Sequence, residues 1–278
     1  AQSPARPTEE PLVSDAPAPL LPDYGGACIT GVMPTLLDPS GEVPEWMPQE
    51  LAGADQVVLL VLDGLGWDQL EDRLGLAPTL ASLPRTCITT VCPTTTATAL
   101  TSITTGLAPG SHGVVGYRMA VRRQILNVLR WSTPRGDARE NIVPTEIQPN
   151  EAFGSERPPV ITRAEFIASG FTEAHLQPVR FEGYRMPSTM VVEIEHALKR
   201  GEPFLYAYYD GIDKVAHEYG LGDHYDAELM AVDQMVRAIA AQLPRGAALV
   251  VTADHGQVDV GDNTISPAGD VMKLVDLQ

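Results

Sequence analysis

The run Gln56-Val57-Val58-Leu59-Leu60-Val61-Leu62 stops at Asp63-Gly64. It is short, rich in Val and Leu, and closed by Gly, which reads as a strand buried on both faces of a parallel sheet. Two later runs repeat the pattern. Phe204-Leu205-Tyr206-Ala207-Tyr208-Tyr209 leads into Asp210-Gly211-Ile212-Asp213, with His217 one helical turn further on. Ala247-Ala248-Leu249-Val250-Val251-Thr252 leads into Asp254-His255-Gly256. In open α/β sheets, ligands bind beyond the carboxyl ends of the strands. The three strand ends should therefore carry Asp63, Asp213, His217, Asp254 and His255 to one crevice, with Asp210 the alternative to Asp213. Three carboxylates and two imidazoles suit a hard cation with mixed oxygen and nitrogen ligands.

Composition narrows the partners. The chain has 278 residues and is 44% hydrophobic, enough for one large α/β domain or a domain with an inserted cap. Lys and Arg number 19 against 36 Asp and Glu, a net charge of −17. That balance disfavours binding to nucleic-acid polymers and to anionic membranes. A small anionic substrate stays compatible, because a bound cation reverses the local field. Three cysteines, Cys28, Cys87 and Cys92, show neither an even count nor a CxxC spacing. This excludes a disulfide framework and a zinc ribbon. No apolar run approaches the roughly 20 residues of a membrane helix, and no signal-peptide pattern is present. The expected location is cytoplasmic; the sequence begins at Ala1 rather than Met, which leaves room for a leader before it.

The order of segments is readable. Residues 1–50 form an N-terminal arm: 1–23 is rich in Pro, Ala and acid and is expected to be mobile, and 24–50 is expected to lie irregularly on the core. The α/β core runs from 51 to 278. Residues 119–160 hold arginine clusters, prolines and little periodicity, and read as an insertion or cap. A short helix is expected from Thr162 to Gly170, a second from Ser188 to Arg200 with Ser188 as its cap, and a third from Asp223 to Leu243.

Between the first two acidic turns lies a stretch with seven threonines in twelve positions, Thr94 to Thr105. Threonine loses side-chain freedom in a helix, so the density is unusual. The expected arrangement is a strand ending near Cys92, a turn at Pro93, a helix from about Ala97 to Thr105, and a left-handed cap at Gly106. Thr96 then stands at the helix N-terminus, where unpaired backbone N–H groups favour a phosphoryl group. A hydroxyl there is a candidate nucleophile if a metal activates it.

These pieces resemble the type I phosphodiesterase/nucleotide pyrophosphatase branch of the alkaline phosphatase superfamily. The matching elements are Leu62-Asp63-Gly64, Pro93-Thr94-Thr95-Thr96 with Thr105-Gly106, Pro109-Gly110-Ser111-His112-Gly113, the pair Asp213 and His217, and Asp254-His255-Gly256. They occur in the family's order over residues 57 to 256. The resemblance implies a three-layer α/β/α fold with a mostly parallel sheet, and a metal-dependent hydrolase of small phosphate esters. It implies Thr96 as nucleophile and two zinc ions, with Mn²⁺ an acceptable substitute. Asp63, Thr96, Asp254 and His255 would hold one ion. Asp213, His217 and one further His would hold the other. In the family that further His lies downstream of Asp-His-Gly. None follows His255 here, and the expectation is a chain cut short at its C-terminal end.

Two departures bear on the substrate. Ala97-Thr98-Ala99-Leu100 replaces the family's Phe-Pro-Asn-His, removing the aromatic that packs on a nucleotide base. Tyr117 stands where relatives have a phosphate-contacting Asn, and is the candidate substrate-binding residue. His112 reads as structural, and His175, His196 and His224 as uninvolved, with His224 the nearest substitute ligand. The Arg122-Arg123 and Arg135–Arg139 groups read as solvated. Alternatives within the superfamily are a phosphomonoesterase and a sulfatase. The latter needs an arginine close behind its nucleophile turn, and none follows Pro93 before Arg118. A metal-deficient, non-catalytic binding domain is the alternative outside enzymology.

Overall fold

The computed structural model describes residues 20–38, 42–154 and 156–259. After helix α1 (Val32–Leu36) comes the first strand, β1 (Gln56–Leu62), followed by α2 (Trp67–Glu71), α3 (Pro78–Ser82), α4 (Thr96–Thr105) and α5 (Pro109–His112). Four short strands follow: β2 (Arg118–Val121), β3 (Gln124–Asn127), β4 (Ser132–Thr133) and β5 (Gly136–Asp137). The chain continues through α6 (Pro144–Ile147), β6 (Pro159–Arg163), α7 (Gly170–Leu176), β7 (Arg180–Tyr184) and α8 (Pro187–Lys199). It closes with β8 (Phe204–Tyr209), α9 (Gly211–Tyr219), α10 (Asp223–Ala240) and β9 (Ala247–Thr252).

The main sheet has the order β7-β6-β8-β1-β9, and every pairing in it is parallel. The unbroken apolar run of β1 is explained by burial on both faces. Leu59 and Val61 pack into one core with α1, α4 and α7, through residues such as Val32, Ile103 and Phe171. Val58, Leu60 and Leu62 pack into the other with α8, α9 and α10, through residues such as Ile194, Ile212 and Val236. Helices on both sides of one parallel sheet make the expected three layers. The register aligns the ends of the three site-bearing strands, with Leu62 opposite Tyr209 and Val61 opposite Thr252. Asp63, Asp210 and Ala253 therefore leave the sheet at nearly one level.

Residues 118–137 form a separate antiparallel sheet in the order β2-β3-β4-β5. No local pattern marks it, because the strands are two to four residues long, too short for an alternation to register. Its hairpin turns at Arg122 and Arg123, both in the left-handed region (φ 47° and 64°), where Asn-Gly is the usual choice. Arg122 pairs with Glu146 at 2.7 Å in solvent-exposed surroundings. Trp131 is fully buried below, and its Nε1 donates to the Ile142 carbonyl at 2.6 Å.

Three expectations are corrected. Thr162 lies in β6, not in a helix, and Gly170 starts α7 rather than ending one. Ser169 caps α7, accepting from Thr172 N at 3.0 Å. Ser188 does not cap α8. The helix begins at Pro187, and the Thr189 hydroxyl turns back to accept from Met186 N at 3.1 Å. No strand ends near Cys92 among the described residues, where only an isolated bridge joins Cys28 and Thr89. The cysteines are unpaired, Cys28 buried and Cys87 and Cys92 exposed. Among the described residues no helix is long and apolar enough to cross a membrane. Residues 1–19 of the expected arm and the chain end after Asp259 lie outside the described residues.

Candidate functional site

Asp63 leaves β1 almost fully buried. Its Oδ2 accepts a short hydrogen bond from the Tyr208 hydroxyl on neighbouring β8. Asp254 follows β9, also buried, and its Oδ1 accepts from Gly64 N at 3.1 Å and His255 N at 2.9 Å. Each carboxylate thus spends one oxygen on the protein. The other oxygens, Asp63 Oδ1 and Asp254 Oδ2, are buried and have no hydrogen-bond partner among the described residues. His255 Nε2 lies between them, 3.4 Å from the first and 3.5 Å from the second. One ligand atom each from Asp63, Asp213 and His255 fall within 4.8 Å of one another.

Thr96 opens α4 at its first helical position, behind the N-cap Thr95. Its Oγ1 is 3.0 Å from His255 Nε2. The other hydroxyls of the triplet are occupied elsewhere. Thr94 Oγ1 donates to the Val91 carbonyl at 2.9 Å, and Thr95 Oγ1 pairs with Thr98 Oγ1 at 3.1 Å. His255 Nδ1 lies 3.0 Å from the Gly256 carbonyl. A carbonyl can only accept, so Nδ1 carries the proton, and Nε2 turns a lone pair toward Thr96.

Burial pushes the Asp63 carboxyl well above its ordinary range, and the neighbouring Asp254 and Asp213 charges push it further. Burial also lifts Asp254 to about 7, against the pull of its bonds from Gly64 and His255. Two buried oxygens without partners, beside an imidazole lone pair and a third carboxylate, form an under-compensated anionic pocket. Divalent cations would satisfy these atoms. The donor set fits a hard or borderline metal ion.

The other candidates divide. Asp213 sits in the first turn of α9, and its Oδ1 accepts from Gln257 Nε2 at 2.7 Å. His217 is one turn on, its Nε2 3.4 Å from Asp213 Oδ1, with most of its side chain in solvent. Asp210 is committed elsewhere, to Arg163 at 2.6 Å and Lys214 at 2.5 Å. Tyr117 is exposed, and its hydroxyl accepts from Asn127 Nδ2 at 2.8 Å. His224 stacks on Tyr219 with ring centres 4.2 Å apart. His112 is fully buried, its Nδ1 accepting from Val114 N at 3.1 Å and its Nε2 facing Ser102 Oγ at 2.8 Å. Burial pushes its pKa down to about 4. Sequence reasoning missed Tyr208 and Gln257, which bond Asp63 and Asp213, and Gln69, which bonds the main chain of Gln257; none belongs to a motif.

The turn after β1 and the turn after β9 touch main chain to main chain. A Cβ on Gly66 would lie 2.5 Å from Gly256 Cα, closer than any side chain tolerates. Gly64 has φ +74°, and a Cβ there would meet Gln257 Nε2 at 2.7 Å and Asp213 Cα at 3.1 Å. Glycine at these positions lets three loops converge.

The sequence model of the type I phosphodiesterase / nucleotide pyrophosphatase family matches residues 57–276. No curated protein matches the chain. Among solved structures, murine ectonucleotide pyrophosphatase / phosphodiesterase 5, in an inactive form in complex with AMP, is similar with a TM-score of 0.53 at 17% identity, over 73% of this chain and 57% of that one. A second structure of the same mouse protein gives 0.53 and 17%, over 72% and 57%. At that identity the likeness is one of fold, and this chain spans less than two thirds of the length of those structures. With the family match covering most of the sequence, and a parallel sheet that gathers the acidic turns at one end, the chain belongs to the type I phosphodiesterase/nucleotide pyrophosphatase family of the alkaline phosphatase superfamily.

Proposed function

We propose that the protein hydrolyses phosphate esters, diesters above all, with Thr96 as nucleophile in a site for two zinc ions. One observation carries this reading: of three consecutive threonine hydroxyls, only that of Thr96 faces His255 Nε2, beside two buried carboxylate oxygens that lack partners. Asp63, Asp254, His255 and Thr96 would hold one ion, and Asp213 with His217 the other. Mn²⁺ suits the same donors. When bound, such ions polarise the phosphoryl group and lower the pKa of a coordinated oxygen nucleophile.

The chain's own groups do the rest. The first-turn N–H groups of α4 have no partner within the helix and favour an anionic phosphoryl group next to Thr96. Thr96 Oγ1 and His255 Nε2, 3.0 Å apart, turn toward the same point, where both would meet the ion. Thr96 Oγ1, its proton released to solvent, attacks phosphorus as the bond to the leaving oxygen breaks; the leaving oxygen takes a proton from water, and the phosphoryl group rests on Thr96. Water then attacks phosphorus and loses a proton, the bond to Thr96 Oγ1 breaks, and that oxygen takes a proton back to restore the threonine. Tyr208 holds Asp63 in place throughout.

The mouse protein whose fold is similar was bound to AMP, which supports a nucleotide-like substrate for this chain. The small side chain of Ala97 supplies no aromatic surface for a base. We therefore assign a phosphodiester with little preference for nucleotides. The test compares kcat/KM of the zinc-loaded protein on a simple aryl phosphodiester and on an aryl nucleotide ester. Values within a hundredfold, about 2.7 kcal/mol, are expected. A larger preference for the nucleotide overturns the substrate assignment. Rates no higher than those of Thr96→Ala overturn the catalytic reading.

A further inference from the structure

Gln257 follows the Asp254-His255-Gly256 turn and reaches across to α9, where its Nε2 donates to Asp213 Oδ1 at 2.7 Å. A single side chain grips its main chain at both ends. Gln257 N donates to Gln69 Oε1 at 3.1 Å, and Gln69 Nε2 donates to the Gln257 carbonyl at 3.0 Å. Gln69 lies in α2, on the turn that follows Asp63. Its amide thus gives Gln257 the paired donor and acceptor that a neighbouring strand would give. The fit is close. Added Cβ atoms on Gly66 and Gly256 would stand 2.4 Å and 2.7 Å from Gln69 Oε1, and one on Gly64 would stand 2.7 Å from Gln257 Nε2. The two amides fill space that three glycines leave open.

We propose that Gln69 and Gln257 form an amide relay that positions Asp213 for a cation, with Gln257 the positioning residue and Gln69 its anchor. The inference rests on the reading of Asp213 as a cation ligand. Asp213 has only 15% of its side chain exposed, and it faces Asp63 in the acidic cluster. Like charge drives such a side chain outward unless a donor holds it. A Lys or Arg donor would do so but would cancel the charge that attracts the ion. A neutral amide fixes one oxygen, leaves the other for the metal, and leaves the charge of the donor set intact. Partners of this kind behind a metal ligand are worth 10–100-fold in affinity.

The test is a zinc titration of the 278-residue chain against a chromophoric chelator, with the melting temperature of the metal-free protein measured alongside. Asp213→Asn defines the binding event that depends on Asp213. Gln257→Met should weaken that event about 10–100-fold, and Gln69→Met should weaken it less. In the Gln257→Met background, Gln69→Met should cost less than about a further twofold, since the anchor then has no amide to place. The metal-free melting temperature should move by no more than about 4 °C. Independent, multiplying losses in the double variant overturn the relay. So does Gln257→Met binding within about threefold of wild type while Asp213→Asn loses the site. A loss of affinity that only tracks a larger fall in metal-free stability makes the role structural and overturns it too. If Asp213→Asn binds zinc as wild type does, the reading of Asp213 falls and the inference falls with it.

Discussion

Arg163 Nε donates to Asp210 Oδ1 at 2.6 Å, and Lys214 Nζ lies 2.5 Å from the other oxygen of the same buried carboxylate. This pairing separates two aspartates three residues apart. Asp210 ties the end of β8 to β6 and α9, while Asp213 turns to Asp63 and His255. Asp210→Ala strands a partly buried arginine and should cost about 3 kcal/mol of stability or more, with kcat/KM per folded molecule changed by less than about tenfold. Asp213→Asn should do the reverse. It removes a charge that raises both Asp63 and Asp254, so the metal-free protein should gain stability, while zinc-dependent turnover falls by about a hundredfold or more. Urea midpoints and steady-state rates on both variants check the pair.

Thr96→Ala should abolish turnover and leave the fold. The N-cap of α4 is Thr95, so Thr96 contributes one hydrogen bond, about 1 kcal/mol. Loss of the covalent route removes several orders of magnitude in rate. Mass spectrometry of protein quenched during turnover should find the phosphoryl group on Thr96. Finding it on Thr94 or Thr95 relocates the nucleophile.

His112 makes a pH-dependent contribution. Its folded pKa is down near 4 from an ordinary 6.5, so between these values the unfolded chain binds the extra proton. Stability from this group is fully present above about pH 6.5 and is lost as pH falls toward 4. The raised carboxyls of Asp63 and Asp254 act in the opposite direction in the metal-free protein, so the comparison needs a difference. The stability gap between wild type and His112→Asn should narrow by about 2 kcal/mol from pH 7.5 to pH 5. Urea unfolding at the two pH values measures it, and a constant gap refutes the assignment.

Metal removal should also depend on pH. Above about pH 7 the metal-free site holds Asp254 as an anion against the preference of its surroundings. As pH falls through 7 a proton relieves that strain and competes with the cation. The difference in melting temperature between zinc-loaded and chelator-treated protein should therefore be larger at pH 8 than at pH 6. Differential scanning calorimetry at both pH values checks the order.

Much of this arrangement could be read from the sequence because it is written in local signals. Strands β1, β8 and β9 are apolar runs ended by Asp or Thr and Gly, and Gly106 does cap α4 in the left-handed region at φ +70°. Asp63 directly follows β1, Asp213 and His255 lie in the first residues past β8 and β9, and Thr96 opens α4. What was not legible depends on distant partners. Tyr208 meets Asp63 across 145 residues, and Gln69 meets Gln257 across 188. A tyrosine inside a strand and a glutamine inside a short helix carry no mark of that service. Strand β6 was missed for a related reason. Pro159-Val160-Ile161-Thr162-Arg163 is five residues long; it pairs with β7 and β8, and its side chains are buried by the distant cores on the two faces of the sheet, Val160 in one and Ile161 in the other.

The contact between Gly66 and Gly256 sets the gauge of the site. Asp63 and His255 hang from two turns whose main chains already touch, so the spacing of their backbones is inherited from the sheet. Asp213 and Thr96 are held differently, one by a side-chain amide and the other at a helix terminus. A variant that accepts a larger ion or a bulkier ester would have to yield on that second side, at α9 and α4, because the first has no slack to give.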